Sequence, residues 1–134
     1  MFRWWSRQLW SSERGFSLVE LVVVLAIIGI LVTAAVPLYL GARKRAYKAE
    51  ASTTLQEIKT MEWAYYQQNT AFADSFVSLD FTPPASRFWT YSIPAATDAS
   101  VRIVATGQSK PLGPGDQVSL TLNSDGSSTS EATF

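Results

Sequence analysis

Arg14-Gly15-Phe16-Ser17-Leu18-Val19-Glu20-Leu21-Val22-Val23-Val24-Leu25-Ala26-Ile27-Ile28-Gly29-Ile30-Leu31 sets one carboxylate inside an otherwise uncharged apolar run. Over residues 16–42 only Glu20 is charged. As a straight helix that stretch spans about 40 Å, at about 1.5 Å per residue, against a hydrocarbon core of about 30 Å. A secretory signal peptide has a shorter apolar core and a small-residue cleavage site. Ala34-Ala35-Val36 imitates part of such a site, but Pro37 follows at once and the apolar residues resume. The run therefore reads as a membrane anchor. A carboxylate within a membrane span is expensive, by a few kcal/mol at the centre. Glu20 lies near the end of the run, where the cost is lower, and still calls for a partner.

Two residues weaken the expected helix from within. Gly29 costs about 1 kcal/mol relative to alanine in a helix interior. Pro37 removes a backbone donor and crowds the preceding turn. Both types are common in membrane helices, so their spacing fits an ordinary span as well as a segment able to unwind and stretch. Lysine and arginine counts set orientation. Arg3, Arg7 and Arg14 precede the run, and Arg43, Lys44, Arg45 and Lys48 follow it, which slightly favours the far end as cytoplasmic.

Formal charges cancel over the 134 residues but are unevenly spread. Before Phe16 three arginines face Glu13, whereas after Lys48 four basic residues face nine carboxylates. An acidic outer part does not favour nucleic acid, which needs a basic face. The cluster of Arg43, Lys44, Arg45 and Lys48 is too short to reverse that reading. Phospholipid headgroups or carboxylates of adjacent subunits suit it better than DNA, so nucleic acid is a disfavoured partner, though not an excluded one. Cysteine and histidine are both absent, which removes disulfides, most metal sites and most nucleophile–base pairs. No close carboxylate pair in an expected loop suggests acid–base work. Neither an enzyme, a metal site nor a cofactor is expected. Gly113-Pro114-Gly115-Asp116 reads as a turn and not as a cation site.

Arg14-Gly15-Phe16-Ser17-Leu18-Val19-Glu20 followed by a long apolar helix resembles the type IV prepilins. The pseudopilins of type II secretion and the minor pilins of DNA-uptake machines share that signature. The resemblance covers about residues 14–66, and Gly29 and Pro37 fall where pilins commonly carry helix-weakening residues. It implies cleavage between Gly15 and Phe16 by a membrane aspartyl peptidase on the cytoplasmic side, and so an N-terminus inside. It implies N-methylation of Phe16 by the same enzyme. It also implies that Glu20 pairs with the new N-terminal cation of a neighbouring subunit, because a lone charge in an apolar setting is costly.

The implied organisation is a leader over residues 1–15, removed on maturation, then a transmembrane and filament-core helix over 16–42. The amphipathic half of the same helix covers 43–70, and a loop with an antiparallel sheet forms the head over 71–134. The leader is long for the family and carries Trp4, Trp5 and Trp10, residues that favour the membrane interface. The implied partners are copies of itself in a helical filament, prepilin peptidase, inner-membrane pilus assembly machinery and membrane lipid. The precursor is expected as a single-pass inner-membrane protein, and the product as a surface pilus (a fimbrium) or a periplasmic pseudopilus. Adhesion, motility, DNA uptake and secretion are all open to such a chain. The alternatives are a minor pilin, a type II secretion pseudopilin, and a membrane-anchored binding module that never polymerises.

Beyond the span, Tyr47, Ala51, Leu55, Ile58, Met61 and Tyr65 recur at spacings of three and four, which predicts an apolar helical stripe ending near Asn69. Trp63 falls off that stripe, either to shield the edge of the head or to meet a neighbour. Residues 71–86 read as a loop held down by Phe72, Phe76, Leu79 and Phe81. Residues 87–93, 101–106 and 118–122 read as strands, and 128–134 as a short edge strand. The expected fold class is α+β, a long N-terminal helix on a small antiparallel sheet.

Overall fold

The computed structural model describes residues 15–134. One helix, α1 (Leu18–Asn69), is followed by β1 (Trp89–Ala96), β2 (Ser100–Gly107), β3 (Gln117–Asn123) and β4 (Ser128–Ala132). The strands form one antiparallel sheet in the order β1-β2-β3-β4. The fold is α+β, as expected. The chain divides into two units at Tyr39/Leu40.

In the first unit every described residue is exposed, with Phe16 78%, Leu18 77% and Ile30 72% accessible. Leucine, isoleucine, valine and alanine dominate this helix, and its apolar side chains run all the way round it. α1 is long and apolar enough to cross a membrane. It opens as the Ser17 carbonyl accepts from Leu21 N at 3.1 Å.

In the second unit α1 does what an amphipathic helix must and buries one stripe. Ala51, Leu55 and Ile58 pack against Val101, Ile103 and Ala105 of β2 and Val118, Leu120 and Leu122 of β3. The strand residues alternate, as the two-residue period of a strand requires. At the stripe's far end the structure departs from expectation. The buried residue after Ile58 is Glu62, at 0% exposure, while Met61 and Tyr65 are only half-buried. Apolar character favoured Met61 in the sequence, but the loop after α1 returns over the position four residues beyond Ile58.

α1 ends at Asn69, whose Nδ2 donates to Tyr65 O at 3.0 Å. Thr70 then takes a left-handed conformation, φ 58°, with its N–H on Tyr66 O. Phe72 is buried in the loop, and Phe76, Leu79 and Phe81 pack on the core. β1 starts two residues later than expected and runs on through Pro94. Proline has no donor for the ladder, and the register with β2 shifts between Ser92 and Ala95. Trp89 Nε1 donates to Tyr47 O at 3.1 Å, which ties the start of β1 to the helix. Gly126 closes the β3–β4 turn at φ 85°. A Cβ there would stand 3.3 Å from Trp63, so Trp63 shields this turn while stacking on Tyr66.

Candidate functional site

The candidate site is the exposed apolar unit together with the motif that opens it. Gly15 lies just before α1, and a Cβ at this position would meet nothing within 4 Å. Backbone on both sides of the Gly15–Phe16 bond is open to solvent. Glu20 stands in the first turn of α1, exposed among Leu18, Val19, Leu21 and Val22. A carboxylate there also faces the positive end of the helix dipole. The expected leader falls, apart from Gly15, outside the described residues, and Trp4, Trp5 and Trp10 with it.

Gly29 and Pro37 both lie inside α1, which is continuous through them. A residue that sequence reading passed over joins them. Thr33 Oγ1 donates to Gly29 O at 2.8 Å, and Thr33 O is the carbonyl to which residue 37 would donate if it were not proline. Gly29, Thr33 and Pro37 therefore share one line along the helix, at successive steps of four. That line combines a residue of low helix propensity, a threonine bonding back to the preceding turn, and a lost donor. Threonine back-bonding bends helices, and helix weakness concentrates on this side. The signal was available as spacing, but threonine in an apolar helix draws no attention without its hydroxyl's partner. Gly29 has open space where a Cβ would go, so no contact within the chain calls for glycine there.

The basic cluster is in the second unit. Arg43 Nε donates to the Tyr47 hydroxyl at 3.1 Å, and its guanidinium lies 5.7 Å from that ring's centre. Lys44, Arg45 and Lys48 border a shallow groove with Gly41 and Phe134. Asp116 Oδ2 accepts from Gly113 N at 2.9 Å, and Asp116 N donates to Gly113 O. The 113–116 segment is thus a self-bonded turn. Among the described residues no cluster of metal-ligating side chains occurs.

The charged group most altered by folding was not anticipated. Glu62 Oε2 accepts from Ala73 N at 3.0 Å, while Oε1 is buried without a hydrogen-bond partner. Burial pushes its carboxyl up to about 7, the Ala73 N–H pulls it back, and the nearby Asp74 charge adds to the rise. A carboxyl that fastens the returning loop to the helix is half-charged near neutrality. Within a stripe of helical period, a glutamate reads as surface until the loop is seen to cover it.

Comparison with known proteins bears on the same segment. The family model described as the prokaryotic N-terminal methylation motif matches residues 10–36. The type IV major pilin protein PilA of Myxococcus xanthus is 33% identical over 94 residues, covering 69% of this chain and 43% of that protein. A fimbrial protein of Moraxella nonliquefaciens is 41% identical over 64 residues, 48% of this chain and 42% of its own length. The type IV major pilin protein PilE1 of Neisseria gonorrhoeae is 32% identical over 74 residues, 55% of this chain and 45% of its own. Each match thus spans less than half of the relative's length.

Proposed function

This chain belongs to the type IV pilin family, and from that premise we propose that it is made as a membrane-anchored precursor and becomes a structural subunit of a pilus or pilus-like filament. The family is a structural one, and no catalysis is assigned to the chain. The observation that carries the reading is the first unit itself. It is an apolar helix exposed on every side, with a single carboxylate five residues after Gly15. Isolated in water such a surface is untenable. It demands lipid at one stage and like helices at another.

The mechanism follows from charge. Prepilin peptidase cuts between Gly15 and Phe16, and hydrolysis turns a neutral peptide nitrogen into an ammonium group. The same enzyme methylates it, which leaves the cation in place. Glu20 of a subunit already in the filament is its counter-ion. In an apolar surrounding neither charge is tolerable alone, so pairing selects processed subunits and sets their axial register. The apolar helix over residues 16–42 then exchanges lipid for neighbouring helices. The Gly29–Thr33–Pro37 line is where the helix gives when packing or tension demands it. The leader, residues 1–15, stays on the cytoplasmic side. Residues 43–70 continue the helix into the head, and residues 71–134 complete the head outside the fibre core. Contact with the inner-membrane assembly machinery precedes display as a surface pilus or a periplasmic pseudopilus.

Mass spectrometry of purified filaments tests this directly. The expected N-terminus is methylated Phe16. Filaments whose subunits still begin at Met1 overturn the reading. Electron microscopy of intact cells separates surface fibres from short periplasmic ones.

A further inference from the structure

The fold of the second unit gathers a lysine and arginine cluster at one end and three aspartates at the other, with Lys59 reaching Ser128 near the aspartates. At one end, Trp89 Nε1 reaches Tyr47 O, Trp89 stacks on Phe134 with ring centres 6.0 Å apart, and Lys44 Nζ lies 6.0 Å from the Phe134 ring centre. The antiparallel register brings the β2–β3 loop, which carries Lys110, to this same end, since Trp89 pairs with Gly107. At the other end, where α1 finishes, Phe72 N bonds Thr97 O and Ser124 N bonds Ala99 O. Those bonds gather the β1–β2 turn, the β3–β4 turn and the start of the loop after α1, and with them Asp98, Asp125 and Asp74.

The groove of Lys44, Arg45, Lys48, Gly41 and Phe134 has a volume of about 270 Å³. Among the described residues no ion pair within the chain engages Lys44, Arg45 or Lys48. Two carboxylates at the groove's end are engaged elsewhere: Glu50 accepts from Ser86 Oγ at 2.7 Å, and Asp116 accepts from Gly113 N, while Glu131 stands exposed on β4. At the opposite end Asp98 is exposed, and so are Asp74 and Asp125. Asp125 is held below the usual carboxylate range by the Ser127 hydroxyl and N–H, which keeps it charged.

We propose that the basic groove at the Tyr47 end of the head docks a second copy of this chain, receiving the acidic rim formed by that copy's Asp74, Asp98 and Asp125. The inference rests on the filament reading and deepens it. A contact between unlike ends is heterologous, and such contacts repeat without closing and so build open filaments. It also requires parallel subunits. Parallel stacking sets a basic end against an acidic end, whereas antiparallel stacking sets like against like, which like-charge repulsion disfavours. Pairing of Glu20 with a neighbour's N-terminus demands the same parallel arrangement from a different part of the molecule. Lysine and arginine on the exported flank oppose the usual charge bias of membrane insertion. A role in the assembled fibre gives them a reason to be there.

A charge-swap in cells that assemble the full chain tests this. Filament yield is measured after shearing for wild type, for K44E/K48E, for D74K/D98K, and for the four changes together. Each reversal alone is expected to cut yield by about tenfold or more, and the combination to restore most of it, because close charge pairs couple strongly. Wild-type filaments are expected to loosen as salt rises. Detergent-solubilised variants are melted to verify folding; if a reversal lowers the melt, K44Q/K48Q and D74N/D98N replace it, with smaller losses expected. A combination no better than either reversal, or filaments indifferent to both, overturns this inference and leaves the filament reading intact. Wild type that is processed but never forms filaments overturns the filament reading itself. Unchanged filaments with lost binding of the K44E/K48E protein to phosphatidylglycerol vesicles assign the groove to lipid and also overturn the inference.

Discussion

The two units divided at Tyr39/Leu40 spend their apolar residues in opposite ways. Residues 15–39 leave theirs exposed, and within the chain the helix there is held by its own backbone hydrogen bonds. Residues 40–134 bury most of theirs: Ala51, Leu55 and Ile58 close on two central strands whose inward residues are almost inaccessible. The first unit is thus unfinished by itself, and in the proposed function lipid or other subunits complete it. The second completes itself. A mutation in the first should change what the chain joins, and one in the buried core of the second whether the head stays folded.

The sharpest way to break that separation is Glu20→Ala. Filament yield is expected to fall by about a hundredfold or more, as loss of a partner for a charge in an apolar site costs about 3–5 kcal/mol. The melting of the solubilised head should not move. A lowered melt with normal filaments would erase the distinction between the units.

Leu120→Ala is the reverse case. Leu120 is 1% exposed on β3 in the middle of the sheet. Its truncation is expected to cost about 2–5 kcal/mol of head stability, read by denaturant unfolding, while peptidase cleavage after Gly15 goes on unchanged.

Glu62→Gln probes the latch between helix and loop. The folded state binds this proton more tightly than the unfolded chain, since its carboxyl rises from 4.5 to about 7. The stability contribution is therefore complete below pH 4.5 and is lost as pH climbs through about 7. Glutamine keeps an acceptor for Ala73 N and cannot ionise. At pH 8 the variant is expected to exceed wild type by about 2–3 kcal/mol, and at pH 4 to match it. Parallel stability curves for the two proteins from pH 4 to 8 would refute this.

The smallest effect sharpens the first unit. Gly29→Ala meets no neighbour and should stabilise the helix by about 1 kcal/mol. Precursor insertion is expected to be unaffected, while filaments lose extensibility under force. A Thr33→Val change, which removes the hydroxyl bonded to Gly29 O, should act in the same direction.

Much of the fold is legible along the chain. The apolar run, the helical spacing of Ala51, Leu55 and Ile58, and the alternation of Val118, Leu120 and Leu122 are local periodicities, and local periodicity is what a sequence displays. The candidates Gly15, Phe16 and Glu20 are legible because they lie within six residues of one another, and the chemistry proposed for them needs only their order. Strand ends were less legible. β1 runs past Ile93 to Ala96 because pairing with β2 carries it across Pro94 by a register shift.

The sequence alone determined that this chain has a long apolar run with one carboxylate near its start, because run length, hydropathy and charge are counted along the backbone. Only the tertiary structure decided that Glu62 and not Met61 is buried, and that Asp74, Asp98 and Asp125 gather at the end opposite Lys44 and Lys48. Those facts depend on where the loop and the turns return. That return is settled by packing between residues far apart in the chain, for which no local pattern stands.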